Sequence, residues 1–284
     1  MTQTVLITGT SSGFGEATTK FFSERGWNVV ATMRNPEANS TLQSGNKLLV
    51  MRLDVEDPGS IETAIAAGIE RFGRIDTVVN NAGYGLFAIF EGASPEAVKQ
   101  QFDVNLFGVM DVTRAILPHF RANRQGTIIN VTSGAGVIGF PMASLYSASK
   151  FAIEGFTEAL GYELYGLGIK VKLVEPGGAP GTGFMKRSGM EGAELSVPTD
   201  YFPFLNHISK LYDGMTQGAD PDAVEKVAST IFEAATDGSD RLRYLPTNDI
   251  MPLVDARRGA TEAQYQALVR RIFLSKVEDT SPWN

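Results

Sequence analysis

The sequence predicts an α/β fold in which a doubly wound parallel sheet of about seven strands carries helices on both faces. Short runs of Val and Ile lack polar alternation, which is typical of strands covered on both faces. Segments of helical periodicity separate these runs, and such alternation favours right-handed crossovers between parallel neighbours. A glycine-rich turn between the first strand and the first helix is the third indication.

The elements can be assigned in chain order from these patterns. Strands are expected at Val5–Ile7, Asn28–Thr32, Leu48–Leu53, Ile75–Val79, Thr127–Thr132, Ile169–Val174 and Arg241–Leu245. Helices are expected at Gly13–Arg25, Asp57–Phe72, Pro95–Phe120, Ser144–Tyr165 and Asp220–Ala235. The last helix is expected to begin with Asp220 as its N-cap and Pro221 at its first position.

Residues 178–218 lose this periodicity and are rich in Gly, Met and aromatic side chains. A long irregular insert in a compact domain is usually functional, so we interpret 178–218 as a lid over a substrate site. Residues 246–284 form a C-terminal extension. Because no repeat or linker interrupts the chain, a single catalytic domain is expected over 1–284.

Composition excludes several classes of function. The net charge of −7 argues against nucleic acid or an anionic membrane as partner. The absence of cysteine excludes thiol catalysis, zinc fingers and disulfide frameworks. The two histidines lie far apart in the sequence, so no metal site is expected. Since neither a secretory signal nor a membrane-spanning run is apparent, we expect a cytoplasmic protein.

The turn after the first strand is suited to binding phosphate. Glycines allow the backbone to approach a pyrophosphate closely, and the N-terminus of the following helix offers free N–H groups to the anion. A plain turn between strand and helix is the alternative interpretation. The expected cofactor-binding residues of this loop are Gly9, Ser11, Ser12, Gly13, Phe14 and Gly15.

The end of the second strand favours NADP(H) over NAD(H). A carboxylate there would bind the ribose hydroxyl of NAD, whereas an arginine suits the 2′-phosphate of NADP. The sequence has no carboxylate at that point and continues into Arg34, which could alternatively be a solvated surface residue. Asp54 and Val55 are expected to contact the adenine, although Asp54 could equally cap a helix.

Motifs later in the chain carry a family resemblance. Asn80-Asn81-Ala82-Gly83, Asn105, Ser133, Tyr146-Ser147-Ala148-Ser149-Lys150 and Pro176-Gly177 occur in that order. With the glycine loop, they make the chain resemble the short-chain dehydrogenase/reductase family, and particularly its NADP-preferring carbonyl reductases.

The resemblance implies a Rossmann-type fold, a homodimer or homotetramer, and a role for each motif. Asn105, Ser133, Tyr146 and Lys150 would be catalytic, and Asn105 would hold a water linking Lys150 to solvent. The residues implied in cofactor binding are Asn81, Ala82, Gly83, Tyr146, Lys150, Pro176 and Gly177. Thr182 stands one position later than the family's usual threonine, which leaves its contact with the nicotinamide open.

Tyr146 and Lys150 also suggest acid–base chemistry on physical grounds. Residues four apart share a helix face, so the ammonium is expected to lower the pKa of the phenol towards a range where it can give and take a proton. Ser133 could hydrogen-bond the substrate oxygen.

The expected activity is hydride transfer between NADP(H) and a carbonyl or secondary alcohol, with Tyr146 as general acid and base. A medium-sized apolar substrate is expected, although the residues that suggest it could simply pack the lid or a subunit contact. These residues are Phe140, Met142, Phe184, Met185, Met190, Tyr201, Phe202, Phe204, Leu205, Leu211 and Tyr212. The alternatives are a non-catalytic NADP(H)-binding redox sensor and an enzyme related to nucleotide-sugar epimerases.

Overall fold

A parallel sheet of seven strands forms the centre of the computed structural model, which describes residues 2–178, 197–217 and 220–274. The strand order is β3-β2-β1-β4-β5-β6-β7, and every neighbouring pair is parallel. The strands are β1 (Thr4–Thr8), β2 (Asn28–Met33), β3 (Leu48–Arg52), β4 (Thr77–Asn80), β5 (Gly126–Val131), β6 (Ile169–Val174) and β7 (Arg243–Tyr244). The predicted doubly wound sheet is confirmed.

Helices cover both faces of this sheet. They are α1 (Gly13–Glu24), α2 (Pro58–Phe72), α3 (Pro95–Phe102), α4 (Gly108–Asn123), α5 (Ser144–Leu164), α6 (Phe202–Gln217), α7 (Ala223–Thr236), α8 (Met251–Gly259) and α9 (Glu262–Phe273). Leu6 of β1 packs in a core with α2, α4 and α5, whereas Val5 and Ile7 pack in a second core with α1 and α7. Because successive side chains of a strand point to opposite faces of the sheet, each face presents its own apolar residues to one layer of helices.

The direction in which strands are added to the sheet reverses at β1. This strand pairs with β2 on one side and with β4 on the other. In sheets of this kind a crevice opens at the carboxyl ends of the strands beside that reversal. The loops after β1, β4, β5 and β6 meet at this crevice.

The helix expected over Pro95–Phe120 is interrupted. The residues of a π-helical turn, Asp103–Phe107, separate α3 from α4. Asn105 lies in this turn with its side chain directed to the backbone of Tyr84. Such turns widen a helix locally, and they often occur at functional sites.

Two other expectations are corrected. The α7 helix begins at Ala223, because Asp220 and Pro221 form a preceding turn in which the Asp220 carboxylate accepts a hydrogen bond from Asp222 N–H. Residues 202–217 are helical, although irregular structure was expected there; Ile208 is fully buried on this helix. Residues 179–196 and 218–219 lie outside the described residues.

The C-terminal extension contributes α8 and α9. A capping box at Thr261 and Gln264 begins α9, and an apolar cluster joins both helices to Ile138 in the segment after β5. No helix within the described ranges combines the length and apolar character that crossing a bilayer requires.

Candidate active site

One cavity of about 590 Å³ occupies the crevice at the carboxyl ends of the strands. At one end it reaches the glycine loop and Arg34. At its centre lie Ser133, Tyr146 and Lys150, and at the far end it is bounded by α6 and by the residues just before α8. The cavity therefore joins the predicted cofactor and catalytic residues in one space.

The glycine loop packs closely against the loop after β4. Gly9 has a φ of +70°, and a Cβ at this position would lie 2.8 Å from Ala82 Cα, so both conformation and space require glycine. Gly9, Ser11, Ser12, Gly13 and Phe14 line the cavity. Gly15 does not; it lies behind the loop against the Gly9 carbonyl.

Thr8 joins these two loops, a role that the sequence analysis missed. Its hydroxyl accepts hydrogen bonds of 3.0 Å from the N–H groups of Asn81 and Ala82. The Asn81 amide in turn donates to the carbonyls of Thr8 and Gly9, at 2.9 and 3.1 Å. Asn81, Ala82 and Gly83 all line the cavity.

Arg34 is exposed at the cavity rim. Its guanidinium forms no ion pair with any residue of the described chain, so it is available to an anion. Asp54 and Val55 also line this end. Asp54 does not cap α2, because Asp57 takes that role by accepting a hydrogen bond from Ser60 N–H.

Tyr146 lies buried beside Ser133, to which it is hydrogen-bonded. Burial raises the pKa of Tyr146 to about 12, although the bond to Ser133 lowers it in part. The expected net lowering by Lys150 is therefore wrong. The Lys150 ammonium lies 5.8 Å from the centre of the Tyr146 ring, and the removal of water from the phenol is the largest cause of the shift in its pKa.

Lys150 is held in place by the end of β5. Its ammonium donates a 2.9 Å hydrogen bond to the Val131 carbonyl. Burial lowers the pKa of Lys150 to about 8, and the charge of Glu154 opposes this shift. Glu154 accepts a hydrogen bond of 2.7 Å from Thr132 Oγ1 and one of 3.1 Å from Arg243 Nε.

Asn105 lies behind the cavity wall rather than on it. Its side chain accepts from Tyr84 N–H at 3.0 Å and donates to the Tyr84 carbonyl at 2.7 Å. A Cβ on Gly83 would lie 3.1 Å from Asn105 Oδ1 and 3.8 Å from Lys150 Nζ. Asn105 and Lys150 thus both lie close to Gly83.

The Pro176-Gly177 loop closes the centre of the cavity. The Pro176 carbonyl accepts from Gly134 N–H at 2.8 Å and from the Ser133 hydroxyl at 3.4 Å. Gly177 N–H donates to Thr247 Oγ1 at 2.9 Å. The loop after β6 is therefore attached both to Ser133 and to the segment before α8.

Aromatic rings form the wall beyond Tyr146. Phe87 lies 5.8 Å from the Tyr146 ring and 6.0 Å from Tyr212 of α6, measured between ring centres. The Tyr212 hydroxyl donates to the Pro141 carbonyl at 2.8 Å, and burial raises its pKa. Phe140 lines the same space.

Only part of the expected apolar set faces this cavity. Met142 and Tyr201 line a separate, smaller hollow, and Leu211 packs against the α8–α9 cluster. Phe202 is largely exposed. Thr182, Phe184, Met185 and Met190 lie outside the described residues.

The model of the short chain dehydrogenase family matches residues 3–191. This chain belongs to the short-chain dehydrogenase family. Over 243 residues it is 37% identical to an uncharacterized oxidoreductase of Schizosaccharomyces pombe, covering 84% of this chain and 98% of that protein. Over 267 residues it is 32% identical to the 17-beta-hydroxysteroid dehydrogenase type 1 of Mus musculus, covering 89% of this chain and 76% of that protein.

A solved structure agrees with this assignment. The short chain dehydrogenase/reductase of Burkholderia phymatum, in complex with NAD, is 25% identical with a TM-score of 0.75, covering 93% of this chain and 95% of that chain. As a short-chain dehydrogenase, the protein is an oxidoreductase that acts on CH–OH and C=O groups with a nicotinamide cofactor.

The residues of this short-chain dehydrogenase fit such a cofactor. The close approach at Gly9 leaves the start of α1 open to a pyrophosphate, and the cavity continues from there to Tyr146. Within the described residues, no group of His, Asp and Glu side chains could hold a metal ion.

Sequence reasoning missed Glu154, Thr247 and Asp249, which contact the catalytic residues or their loops. Glu154 could have been found, since it continues the four-residue spacing of Tyr146 and Lys150 along α5. Thr247 and Asp249 carried no signal, because they meet the Pro176-Gly177 loop from about 70 positions further along the chain.

Proposed function

We propose that this short-chain dehydrogenase uses NADP(H) to interconvert an apolar ketone and its secondary alcohol, with Tyr146 as proton donor and acceptor. The observation that carries the proposal is the single cavity that connects the glycine loop, the polar catalytic centre and an aromatic wall. A small number of polar groups within a mainly apolar pocket is typical of a site that orients a small molecule.

Arg34 supports the preference for NADP(H). It is exposed at the rim beside Ser11 and Ser12, and its planar guanidinium suits a phosphate group. Two acidic residues that line the cavity have other partners, since Asp54 accepts from Glu56 N–H and Glu56 accepts from Gln100. The glycine loop would hold the pyrophosphate, and Asp54 and Val55 would contact the adenine.

Tyr146 supplies the proton. A phenol with a pKa of about 12 is neutral near pH 7, so it can donate to the carbonyl oxygen during reduction. When bound, the nicotinamide provides or accepts the hydride. Ser133 helps to position the substrate oxygen, and Lys150, with a pKa of about 8, is suited to return a proton to Tyr146.

Asn105, which lies behind the cavity wall, would support the return of a proton from Lys150 to Tyr146. Its side chain bonds the Tyr84 backbone, and Gly83 lies close to both Asn105 and Lys150. We infer that the π-helical turn serves to bring this residue to a water path that reaches Lys150.

The aromatic wall supports an apolar substrate. Phe87, Phe140 and Tyr212 border the space beyond Tyr146, and the Tyr212 hydroxyl is already bonded to Pro141. These three side chains offer little hydrogen-bonding capacity to a sugar. The mouse relative is named for hydroxysteroids, which are apolar polycyclic alcohols.

A cofactor and substrate panel tests this function. We expect NADPH absorbance to decrease with apolar cyclic ketones and much less with small sugars. In Arg34→Ala, we expect the KM for NADPH to rise about 10-fold or more while that for NADH changes little, because a charge-assisted contact to the 2′-phosphate is lost.

Arg52→Ala is a matched control, since this exposed arginine at the end of β3 pairs with Asp57 instead of lining the cavity. A preference of the wild type for small sugars, or equal effects of Arg34→Ala on NADPH and NADH, would contradict the proposal.

We further propose a homodimer formed through α5. Phe151, Tyr162 and Tyr165 are exposed and lie on one side of this helix and the turn that follows it. Phe107, also exposed, lies in the turn before α4. Exposed aromatic side chains grouped in this way are typical of subunit contacts.

A further inference from the structure

The wall formed by the residues just before α8 carries a carboxylate that the chemistry above does not use. Asp249 lines the cavity together with Gly177 and Gly178, which follow β6. Its Oδ2 accepts a hydrogen bond of 2.7 Å from Gly178 N–H. Its Oδ1 accepts no hydrogen bond from any residue of the described chain. The exposed Asp249 carboxylate therefore has one oxygen that no described residue engages in a hydrogen bond.

This carboxylate belongs to the same packed unit as the catalytic serine. Ile250, the next residue, contacts Gly134, which follows Ser133. Gly134 N–H and the Ser133 hydroxyl both donate to the Pro176 carbonyl. The wall that contains Asp249 thus adjoins the place where the reacting atoms must meet Tyr146.

Asp249 and Thr247 accept hydrogen bonds from successive N–H groups of the loop that follows β6. Thr247 is buried and accepts from Gly177 N–H, whereas Asp249 accepts from Gly178 N–H. A Cβ on Gly177 would overlap the Asp249 carboxylate, so glycine is needed for its close approach. Of the two residues, Asp249 lines the cavity and Thr247 does not.

We propose that Asp249 is a cofactor-binding residue whose Oδ1 accepts a hydrogen bond from the carboxamide NH₂ of the nicotinamide. This inference rests on the proposed function, since it requires the nicotinamide to lie at the Ser133–Tyr146 part of the cavity. The carboxamide carries the N–H donors of the nicotinamide group, and an ionised acceptor strengthens such a bond. The same negative charge favours the cationic, oxidised ring.

The test compares two dinucleotides on the full-length protein by isothermal titration calorimetry. They are NADP⁺ and 3-acetylpyridine adenine dinucleotide phosphate, in which an acetyl group replaces the carboxamide and removes its donors. We expect the wild type to bind NADP⁺ about 10-fold more tightly than the analogue. In Asp249→Ala this ratio of Kd values falls to about one, and in Asp249→Asn, which keeps an acceptor oxygen, part of the ratio remains.

Two variants separate a direct contact from a structural role. Thr247→Val removes the acceptor of Gly177 N–H and is expected to weaken both dinucleotides by the same factor. Asp255→Ala removes an exposed carboxylate of α8 outside the cavity and is expected to change neither Kd. The Tm of each variant shows whether it is folded, and Asp249→Asn provides the comparison if Asp249→Ala is not.

An unchanged ratio in Asp249→Ala, or a wild type that does not distinguish the two dinucleotides, overturns the inference while leaving the proposed function intact. If the wild type binds only NAD⁺, the same comparison with 3-acetylpyridine adenine dinucleotide applies, because the carboxamide is common to both cofactors. A wild type that binds neither NADP⁺ nor NAD⁺ overturns the proposed function, and the role of Asp249 with it.

Discussion

Where α5 passes the end of β5, three polar side chains come together: Tyr146, Ser133 and Lys150. The pKa values of Tyr146 and Lys150 depend on their burial away from water. Burial disfavours the charged form of each titratable group, so it raises the pKa of Tyr146 and lowers that of Lys150. The two pKa values therefore move apart, with that of Tyr146 above that of Lys150, and this order disfavours a phenolate beside an ammonium. A neutral phenol that donates a proton, resupplied by lysine, is the chemistry that these directions favour.

Removing the charge of Glu154 should shift the pH dependence of ketone reduction. With a Lys150 pKa of about 8, kcat/KM is expected to be high below that pH and to fall above it, as the ammonium loses its proton. Because Glu154 raises the pKa of Lys150, Glu154→Gln should move the descending limb to lower pH.

The measurement is kcat/KM between pH 6 and 10 with a saturating cofactor concentration. Glu158→Gln is the matched control, since Glu158 also pairs with Arg243 but is exposed on the outer side of α5. A limb that stays in place in Glu154→Gln, or that moves to higher pH, would exclude the electrostatic role of Glu154.

The placement of Tyr146 and Lys150 together could be predicted from the sequence, whereas their ionisation could not. Spacing along one helix was enough to bring Tyr146 and Lys150 to the same face. The direction of the Tyr146 shift depends on tertiary burial, to which Phe87 contributes from a distant segment. Local sequence does not contain that information.

At the scale of elements, α8 is attached to the end of β6 by buried charges. Glu175 is fully buried and accepts two hydrogen bonds from Arg258, at 2.6 and 2.8 Å. Arg243 of β7 lies 3.4 Å from the same carboxylate. Because Glu175 directly precedes Pro176, this ion pair connects the C-terminal extension to the loop at the catalytic centre.

Arg258→Gln should destabilise the protein more at high pH than at low pH. Burial and the charge of Glu154 raise the pKa of Glu175 to about 7. Protonated Glu175 therefore stabilises the folded protein fully below the pKa that this group has in the unfolded chain. This contribution is lost as pH rises through about 7. Arg258 opposes that rise in pKa, and its removal leaves a carboxylate that is costlier to bury.

We expect a loss of about 2 kcal/mol in the free energy of unfolding at pH 8, less than for a wholly buried pair because Arg243 remains. At pH 5 the loss should be much smaller. Denaturant unfolding at both pH values measures this difference, and Arg257→Gln, which breaks an exposed pair with Glu262, is the control. Equal losses at pH 5 and pH 8 would contradict the role assigned to Arg258.

The elements that were predicted least well depend on contacts made late in the chain. β7 is short, and only its pairing with β6 makes it a strand. In α6 the apolar residues recur at helical spacing, but the many aromatic residues around them obscured this pattern. The π-helical turn at Asn105 depends on Tyr84, which helical periodicity cannot reveal.

At the scale of the whole molecule, the sheet and its two helical layers follow from the pattern of buried strands. The order of the elements and the glycine loop were sufficient to predict the crevice and one end of the site. The other end is formed by α6 and by the segment before α8, which come from the parts of the chain with the weakest signals. The apolar character of the aromatic wall was therefore predicted from composition alone.

Charge on the exposed face of α5 should disrupt the proposed dimer. In Tyr162→Glu, burial of a carboxylate at the contact is expected to shift the protein from dimer to monomer, as measured by light scattering after size-exclusion chromatography. Phe90→Glu is the control, because Phe90 is comparably exposed on a different segment. A wild-type protein that is monomeric at micromolar concentration would refute this interface.

The most direct test of the central claim is ketone reduction by Tyr146→Phe, followed by NADPH absorbance in a single turnover. If Tyr146 is the proton donor, the rate should fall by about 10²–10⁴-fold while the Kd for NADPH, measured separately by fluorescence, changes by only about 2–3-fold. Phenylalanine retains the ring that packs against Phe87, so such a loss would be attributable to the hydroxyl. A variant that reduces the ketone at the wild-type rate would contradict the role of Tyr146.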